Sequence, residues 1–386
     1  MRYLLFVMLC VNSAQAFELK GQADIEHRQF FAHGTQDNGL YQTSVKLEPE
    51  FYLAEVAGST SLTVKPFARF DGLDKNRTHV DLREFIFLHV ADDYELRAGV
   101  GKVFWGVTES LHLVDVINQT DQLEGVDGED KLGQPMVQYS IARDWGMLDV
   151  FMLPYFRELA FPSAHGRLGT PFEVDDAAVT YESSQQEKHL DFALRYSQYF
   201  DIWELGVSYF RGTNREPLRR INSNDTLALH YTQMNQISVD LQGVIDSWLL
   251  KLEALSRNAQ QSHVAYVTGF EHTTTQVFDS RMDLGVILEY QYDSRNGTDM
   301  PLTQNDLFFG TRVVANDIDG SELLAGVSWD LDDKDSFIFK LEASTRLTDQ
   351  FRAVLEAYLF HSQTPHNPVY GNRKEDFLQL TLEYYF

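Results

Sequence analysis

The last eleven residues, DFLQLTLEYYF, alternate strictly: Leu378, Leu380, Leu382, Tyr384 and Phe386 fall on one face, and Gln379, Thr381, Glu383 and Tyr385 on the other. A period of two marks a strand with one apolar and one polar side. The same rhythm runs upstream. Phe351, Ala353, Leu355, Ala357 and Leu359 oppose Arg352, Glu356 and Tyr358, and Phe337, Phe339, Leu341 and Ala343 oppose Lys340, Glu342 and Ser344. Leu284, Val286, Leu288, Tyr290 and Tyr292 likewise oppose Asp283, Glu289, Gln291 and Asp293. Each polar face mixes acids with bases, as a wet lumen would.

Connections between these runs come in two kinds. Tight ones fall at 91–93, 144–146, 199–201, 246–247 and 348–349, and long polar ones at 106–134, 158–173, 212–224, 294–304 and 362–375. The pattern predicts an all-β transmembrane antiparallel β-barrel of about 18 strands, 16–18 being favoured, with short periplasmic turns and long extracellular loops. An even number puts both ends at the short-turn rim. Spans 175–199 and 225–246 each read as one long strand or as a hairpin, and the count moves with them. One residue breaks the pattern: Glu84 falls on the apolar side of Val80, Leu82, Ile86 and Leu88, which marks a bulge, a subunit contact or a misread register.

Composition narrows the class. The first sixteen residues, MRYLLFVMLCVNSAQA, place Arg2, an apolar run from Tyr3 to Val11 and Ala14-Gln15-Ala16 in the order of a cleaved export signal. Residues 17–386 are then a single barrel domain. The only cysteine, Cys10, lies in the leader, so the exported chain has no thiol chemistry and no disulfide. No later stretch approaches the roughly 18 apolar residues of a membrane helix. Aromatics are 13% of the chain while charged residues are 23%, and alternating faces accommodate both. A soluble sandwich also alternates, but it would have to bury one face of many long strands in one core; a solenoid would repeat every 20 to 50 residues or so, and no repeat is visible. The net charge of −25 disfavours nucleic acid.

Two features then resemble known proteins. Phe386 as the last residue, after alternate apolar or aromatic positions, resembles the terminal-strand signal by which the barrel-assembly machinery recognises Gram-negative outer-membrane proteins. The segment GVGKVFWGVTESLHLVDVINQTD is similar to a Gly-x5-Trp-Gly … Asp-x-Ile-Asn-x-x-Asp motif of a porin-like outer-membrane family of unknown function, through Gly99, Trp105, Gly106, Asp115, Ile117, Asn118 and Asp121. Relatives usually carry Pro after the Asn, where this chain has Gln119. The resemblance implies a barrel and an outer-membrane location, with no known substrate.

The chemistry-bearing candidates centre on the same segment. Gly99-Val100-Gly101-Lys102 fails as a phosphate loop, because Val103 follows the lysine and no βαβ unit is visible. Tyr94, Leu96, Ala98, Val100 and Phe104 alternate outward instead, which turns Gly99 and Gly101 inward and leaves room at the wall. The 106–134 connection reads in two ways: folded into the barrel against Gly99, Gly101 and Trp105, or as an extracellular loop with its own apolar cluster. In the first case Gly106, Asp115 and Asn118 help anchor it. Asp121, Glu124, Asp127, Glu129 and Asp130 would form a cation-favouring constriction. Arg69, Arg83, Arg97, Arg143 and Arg157 would face those acids across a transverse field, or form salt bridges within the wall. Asp127, Glu129 and Asp130 match no EF-type calcium loop, and no metal or cofactor is expected. Histidines such as His79, His89, His112 and His361 are scattered and no nucleophile context appears, so no enzyme is expected.

The expected function is a porin-like channel for passive diffusion or facilitated uptake of small polar or cationic solutes. Its expected partners are outer-membrane lipid and lipopolysaccharide, the barrel-assembly machinery and the solutes; self-association stays open. A plugged barrel serving as envelope scaffold or export component is the alternative, and a barrel-type hydrolase a weaker one.

Overall fold

The computed structural model describes residues 17–386 apart from positions 35, 37, 56, 57, 171, 298 and 299. The expected export signal, residues 1–16 with Cys10, lies outside the described residues. Strands are β1 (Phe17–Phe30), β2 (Tyr41–Leu53), β3 (Thr60–Asp71), β4 (His79–Val90), β5 (Glu95–Gly101), β6 (Gln134–Arg143) and β7 (Gly146–Leu153). After β8 (Thr180–Tyr181) come β9 (Asp191–Phe200), β10 (Trp203–Thr213), β11 (Leu218–Ile221), β12 (Leu227–Tyr231), β13 (Gln233–Ile245) and β14 (Trp248–Asn258). The chain ends with β15 (His263–Thr274), β16 (Asp283–Asp293), β17 (Asn305–Val314), β18 (Glu322–Asp330), β19 (Phe337–Arg346), β20 (Phe351–His361) and β21 (Phe377–Tyr385).

Eighteen of these strands form one antiparallel sheet in chain order, and β1 pairs with both β2 and β21, so the sheet closes on itself. Closure leaves no open edge. At the seam, Gly21 and Phe386 exchange two backbone hydrogen bonds of 3.0 and 3.1 Å. The remaining strands, β8, β11 and β12, make a small sheet beyond the long-loop rim. Its apolar side is a cluster of Phe156, Phe161, Leu227, Leu229 and Tyr231.

Alternation sets which side chains face out. Along β21, Leu378, Leu380 and Leu382 are exposed while Phe377, Gln379 and Thr381 are buried. An apolar outer surface all round a closed sheet suits lipid rather than water. Exposed rings lie at both rims: Phe17, Trp145, Tyr199 and Trp248 at one, Tyr41, Phe70, Phe192 and Trp329 at the other. Such girdles belong at the headgroup level. Tight hairpins are found at the first rim, and Asp201 and Asp246 turn two of them at φ of 54° and 52°, a conformation that Asp tolerates well.

The two ambiguous spans resolve identically. Each holds one barrel strand, β9 or β13, preceded by a short strand of the outer sheet, β8 or β12. Glu84 is explained by a bulge: Lys65 pairs Glu84 and Pro66 pairs Leu82, so Arg83 is the extra residue. Pro66 cannot donate to the ladder, and the bulge relieves that loss. It also inverts the face. Val80, Leu82, Phe85 and Phe87 point out, whereas Arg83, Glu84, Ile86 and Leu88 point in. The expected apolar face was therefore wrong beyond Leu82. Strand β5 also ends earlier than expected, at Gly101, and Phe104 belongs to the connection that follows.

Candidate functional site: a lumen crossed by one connection

Residues 102–133 join β5 to β6 without a helix, and they fold into the barrel. One physical reason is visible on the wall. Ile86, Met136, Phe151, Leu153, Phe210 and Met234 face inward from β4, β6, β7, β10 and β13, where a water-filled lumen would strand them. Trp105, Val114, Val116 and Ile117 cover them, and all four are nearly inaccessible to water. Full burial of each such side chain contributes about 1.5–3 kcal/mol. The glycines make this geometry possible. A Cβ on Gly101 would lie 2.6 Å from Met136 and 2.7 Å from Ile86, so the room there is filled by the wall residues that carry the cluster. Gly99 has φ +133°, and a Cβ would meet the Phe85 carbonyl oxygen at 1.9 Å.

Polar contacts hold the first turn across the lumen. Glu253 on β14 accepts from Val107 N (2.7 Å), Thr108 N (3.0 Å), Thr108 Oγ1 (2.8 Å) and Val114 N (3.2 Å). Glu289 on β16 accepts from Glu109 N and Ser110 N, each at 2.8 Å, and from Ser110 Oγ at 2.5 Å. Both glutamates are fully buried, and several donors apiece offset the cost of burying their charge. Glu109 in turn meets Arg312 on β17 at 2.6 Å. Strand β17 is nine places round the ring from β5, so the connection reaches the opposite wall. Gly106, at φ +154°, sits where a Cβ would be 2.9 Å from His112 Nδ1 and 3.1 Å from Glu253. Burial depresses the His112 pKa, but the adjacent Glu253 carboxylate outweighs it and leaves the pKa raised.

The return limb is stapled by Asn118, whose Oδ1 accepts from Val103 N and whose Nδ2 donates to the carbonyls of Gly101 and Leu132, all at 2.8–2.9 Å. Gln119 donates to the Arg215 carbonyl at 3.1 Å. Asp115 pairs with Lys131 at 3.2 Å; burial nevertheless raises its pKa. Asp121 meets Arg83 at 2.6 Å. Arg69 bonds both Glu124 oxygens and also pairs with Glu26. Burial would raise Glu124, but the guanidiniums of Arg69 and Arg77 hold it below the usual carboxylate range. Lys340 on β19 lies 3.1 Å from Asp127 and 3.4 Å from Glu129. The Asp130 carbonyl accepts from Asp121 N at 2.7 Å, whereas its side chain makes no hydrogen bond or ion pair among the described residues; burial and the charges of Glu124 and Asp127 push it up to about 6.

Of the five expected arginines, only Arg69 and Arg83 touch the acids of the connection. Arg157 pairs with Asp81 at 2.8 Å and donates to the Gly133 carbonyl. Arg97 bonds Gln138 on the next strand, and Arg143 pairs with Asp93 at the short-turn rim. Acids and arginines are in direct contact where they meet, so the separated charges of a transverse field are not present between them. His79, Asp121 and Glu124 bring their ligand atoms within 4.8 Å of one another. Both carboxylates already serve arginines, a poor setting for a metal ion.

Glu253, Glu289, Arg215 and Arg167 escaped the sequence reading. Arg215 donates to the carbonyls of Val116 and Ile117 (3.2 and 3.0 Å) and lies over Phe210. Arg167, from the long connection between β7 and β9, pairs with Glu375 at 2.8 Å, bonds the Ala32, Gly39 and Lys374 carbonyls and stacks on Phe30. The available signal was the inward apolar run at Ile86, Met136, Phe151 and Phe210, which interrupts an otherwise polar lumen face.

No protein-family model and no curated protein matches the chain. Among solved structures it is similar to OmpT, an outer membrane protein of Vibrio cholerae in its trimer form, at 10% identity and a TM-score of 0.49, covering 97% of this chain and 100% of that one. Two mutants of the Rhodopseudomonas blastica porin are similar at 11% and 12% identity, with TM-scores of 0.47 and 0.46, each covering 96% of this chain and all of theirs. These likenesses concern barrel architecture and do not bear on the Gly-x5-Trp-Gly motif. The chain itself is a closed 18-stranded antiparallel β-barrel with one connection folded through its lumen.

Proposed function

We propose that this barrel sits in the outer membrane of a Gram-negative bacterium as a porin-like channel for small polar or cationic solutes, narrowed by residues 102–133. The carrying observation is a connection that crosses to the far wall inside a barrel apolar outside and charged inside. Lipid and lipopolysaccharide would surround it, and the strand ending at Phe386 would serve its assembly. Planar-bilayer recording of refolded protein is the test: the intact chain opens small cation-preferring channels, and deletion of 106–131 gives larger, less selective ones. Absence of any openings overturns the channel.

One observation favours a plugged barrel acting as scaffold or export component. Polar contacts of the connection reach β1, β3, β4, β14, β16, β17, β19 and β20, and Arg167 straps further loops together above it. Conductance only in the deletion variant would select this reading. Nothing in the site recommends the hydrolase.

A further inference from the structure

One part of the lumen is not closed by these contacts. A cavity of about 140 Å³ lies between the 124–130 limb and strands β1, β20 and β21. Seven carboxylates and three cationic side chains line it, together with the rings of Tyr358 and Phe377. The cations do not neutralise the acids one for one. Arg69 and Arg28 are committed to Glu26, and Arg69 also to Glu124. Lys46 holds Asp24 Oδ2 at 2.7 Å. Among the described residues Glu356 accepts a hydrogen bond only from the amide of Gln379, Glu383 accepts from the Tyr385 hydroxyl but has Arg352 no nearer than 3.6 Å, and the Asp130 carboxylate makes no hydrogen bond or ion pair.

A second observation is independent of the acid count. Asp24 is only 3% exposed, it lines the cavity, and its Oδ1 accepts no hydrogen bond. A buried carboxylate oxygen without a donor is costly, and a donor arriving from the cavity would remove that cost.

We infer that this cavity is a binding site for an organic ammonium ion, held by Asp24, Asp130 and Glu356 and flanked by Tyr358 and Phe377. The wall already receives nitrogen cations of this kind: the Lys46 ammonium rests on Asp24, and the Arg28 guanidinium lies 5.4 Å from the Phe377 ring centroid. Ring faces attract such cations, whereas a metal ion requires a closed shell of oxygens that Tyr358 and Phe377 interrupt. A primary diamine suits the site because its second ammonium can reach a second unneutralised carboxylate. The inference rests on the channel reading for its use, since the site would lie on the solute's path.

The test is equilibrium dialysis of labelled 1,4-diaminobutane against the refolded full chain in detergent. Saturable binding of one equivalent is expected, weakened at least fivefold by Asp130→Asn and by Glu356→Gln. Glu322→Gln, at the short-turn rim, leaves it unchanged. Circular dichroism confirms that each variant is folded, and the two variants test the site separately. Unsaturable uptake, binding indifferent to both variants, or equal displacement by equimolar potassium overturns the site. Liposome swelling with an uncharged sugar judges the channel separately: sugar entry without diamine binding retains the channel and removes the site, and diamine binding without sugar entry does the reverse.

Discussion

Arg83 and Asp121 meet at 2.6 Å with side chains 3% and 1% exposed, and most of what holds the 102–133 connection is of this kind. Burying two charges is expensive, so such a pair adds little net stability, but removing one partner strands the other. Arg83→Ala is therefore expected to cost about 3–5 kcal/mol, read as a lower urea midpoint, whereas Arg83→Met combined with Asp121→Leu recovers most of it. Equal loss in the single and double variants would show that the pair is not the reason. The bulge that places Arg83 inward is part of the same arrangement, because without it Arg83 and Glu84 could not both face the lumen.

At the scale of the element, the connection is attached by an apolar cluster to β4–β13 and by backbone donors to Glu253 and Glu289 on the far wall. His112 adds a pH-dependent hold. Its pKa is raised when the connection is in place, so the attraction to Glu253 is fully present below pH about 6.5 and is lost as pH rises through the raised value. Amide protection of residues 107–114, corrected for intrinsic exchange, should fall between pH 6 and pH 9. His112→Gln should flatten that profile; an unchanged profile would remove His112 from the account. Deletion of 106–131 belongs to this scale too, since the strands pair with one another and the apolar patch at Ile86 and Phe151 is what the deletion uncovers.

At the scale of the whole molecule, two surfaces obey opposite rules. Leu380 faces out near the middle of β21, where Leu380→Arg is expected to cost about 2–4 kcal/mol in liposome unfolding. A variant as stable as the parent would place that face away from lipid. Inside, Asp130 titrates near 6, so it is neutral in acid and charged above. Cation preference, read as a reversal potential, should drop as pH falls from 7.5 to 5, and Asp130→Asn should remove most of that dependence.

Strand number, the two rims and the closing strand were legible in the sequence, because a strand's faces are set locally by a period of two: Leu378 and Gln379 announce their sides within a few residues of each other. What only the tertiary structure decided lies across long separations. Thr108 meets Glu253, and Glu109 meets Glu289, over 145 and 180 positions, and Asp127 meets Lys340 over 213. Local patterning carries no information about such pairs, so it could list acids and arginines but not match them: Arg69 and Arg83 met the connection, while Arg97 and Arg143 did not. The bulge at Arg83 lay equally out of reach, since one extra residue in a ladder is defined by the partner strand, and it alone reverses which side of β4 faces water.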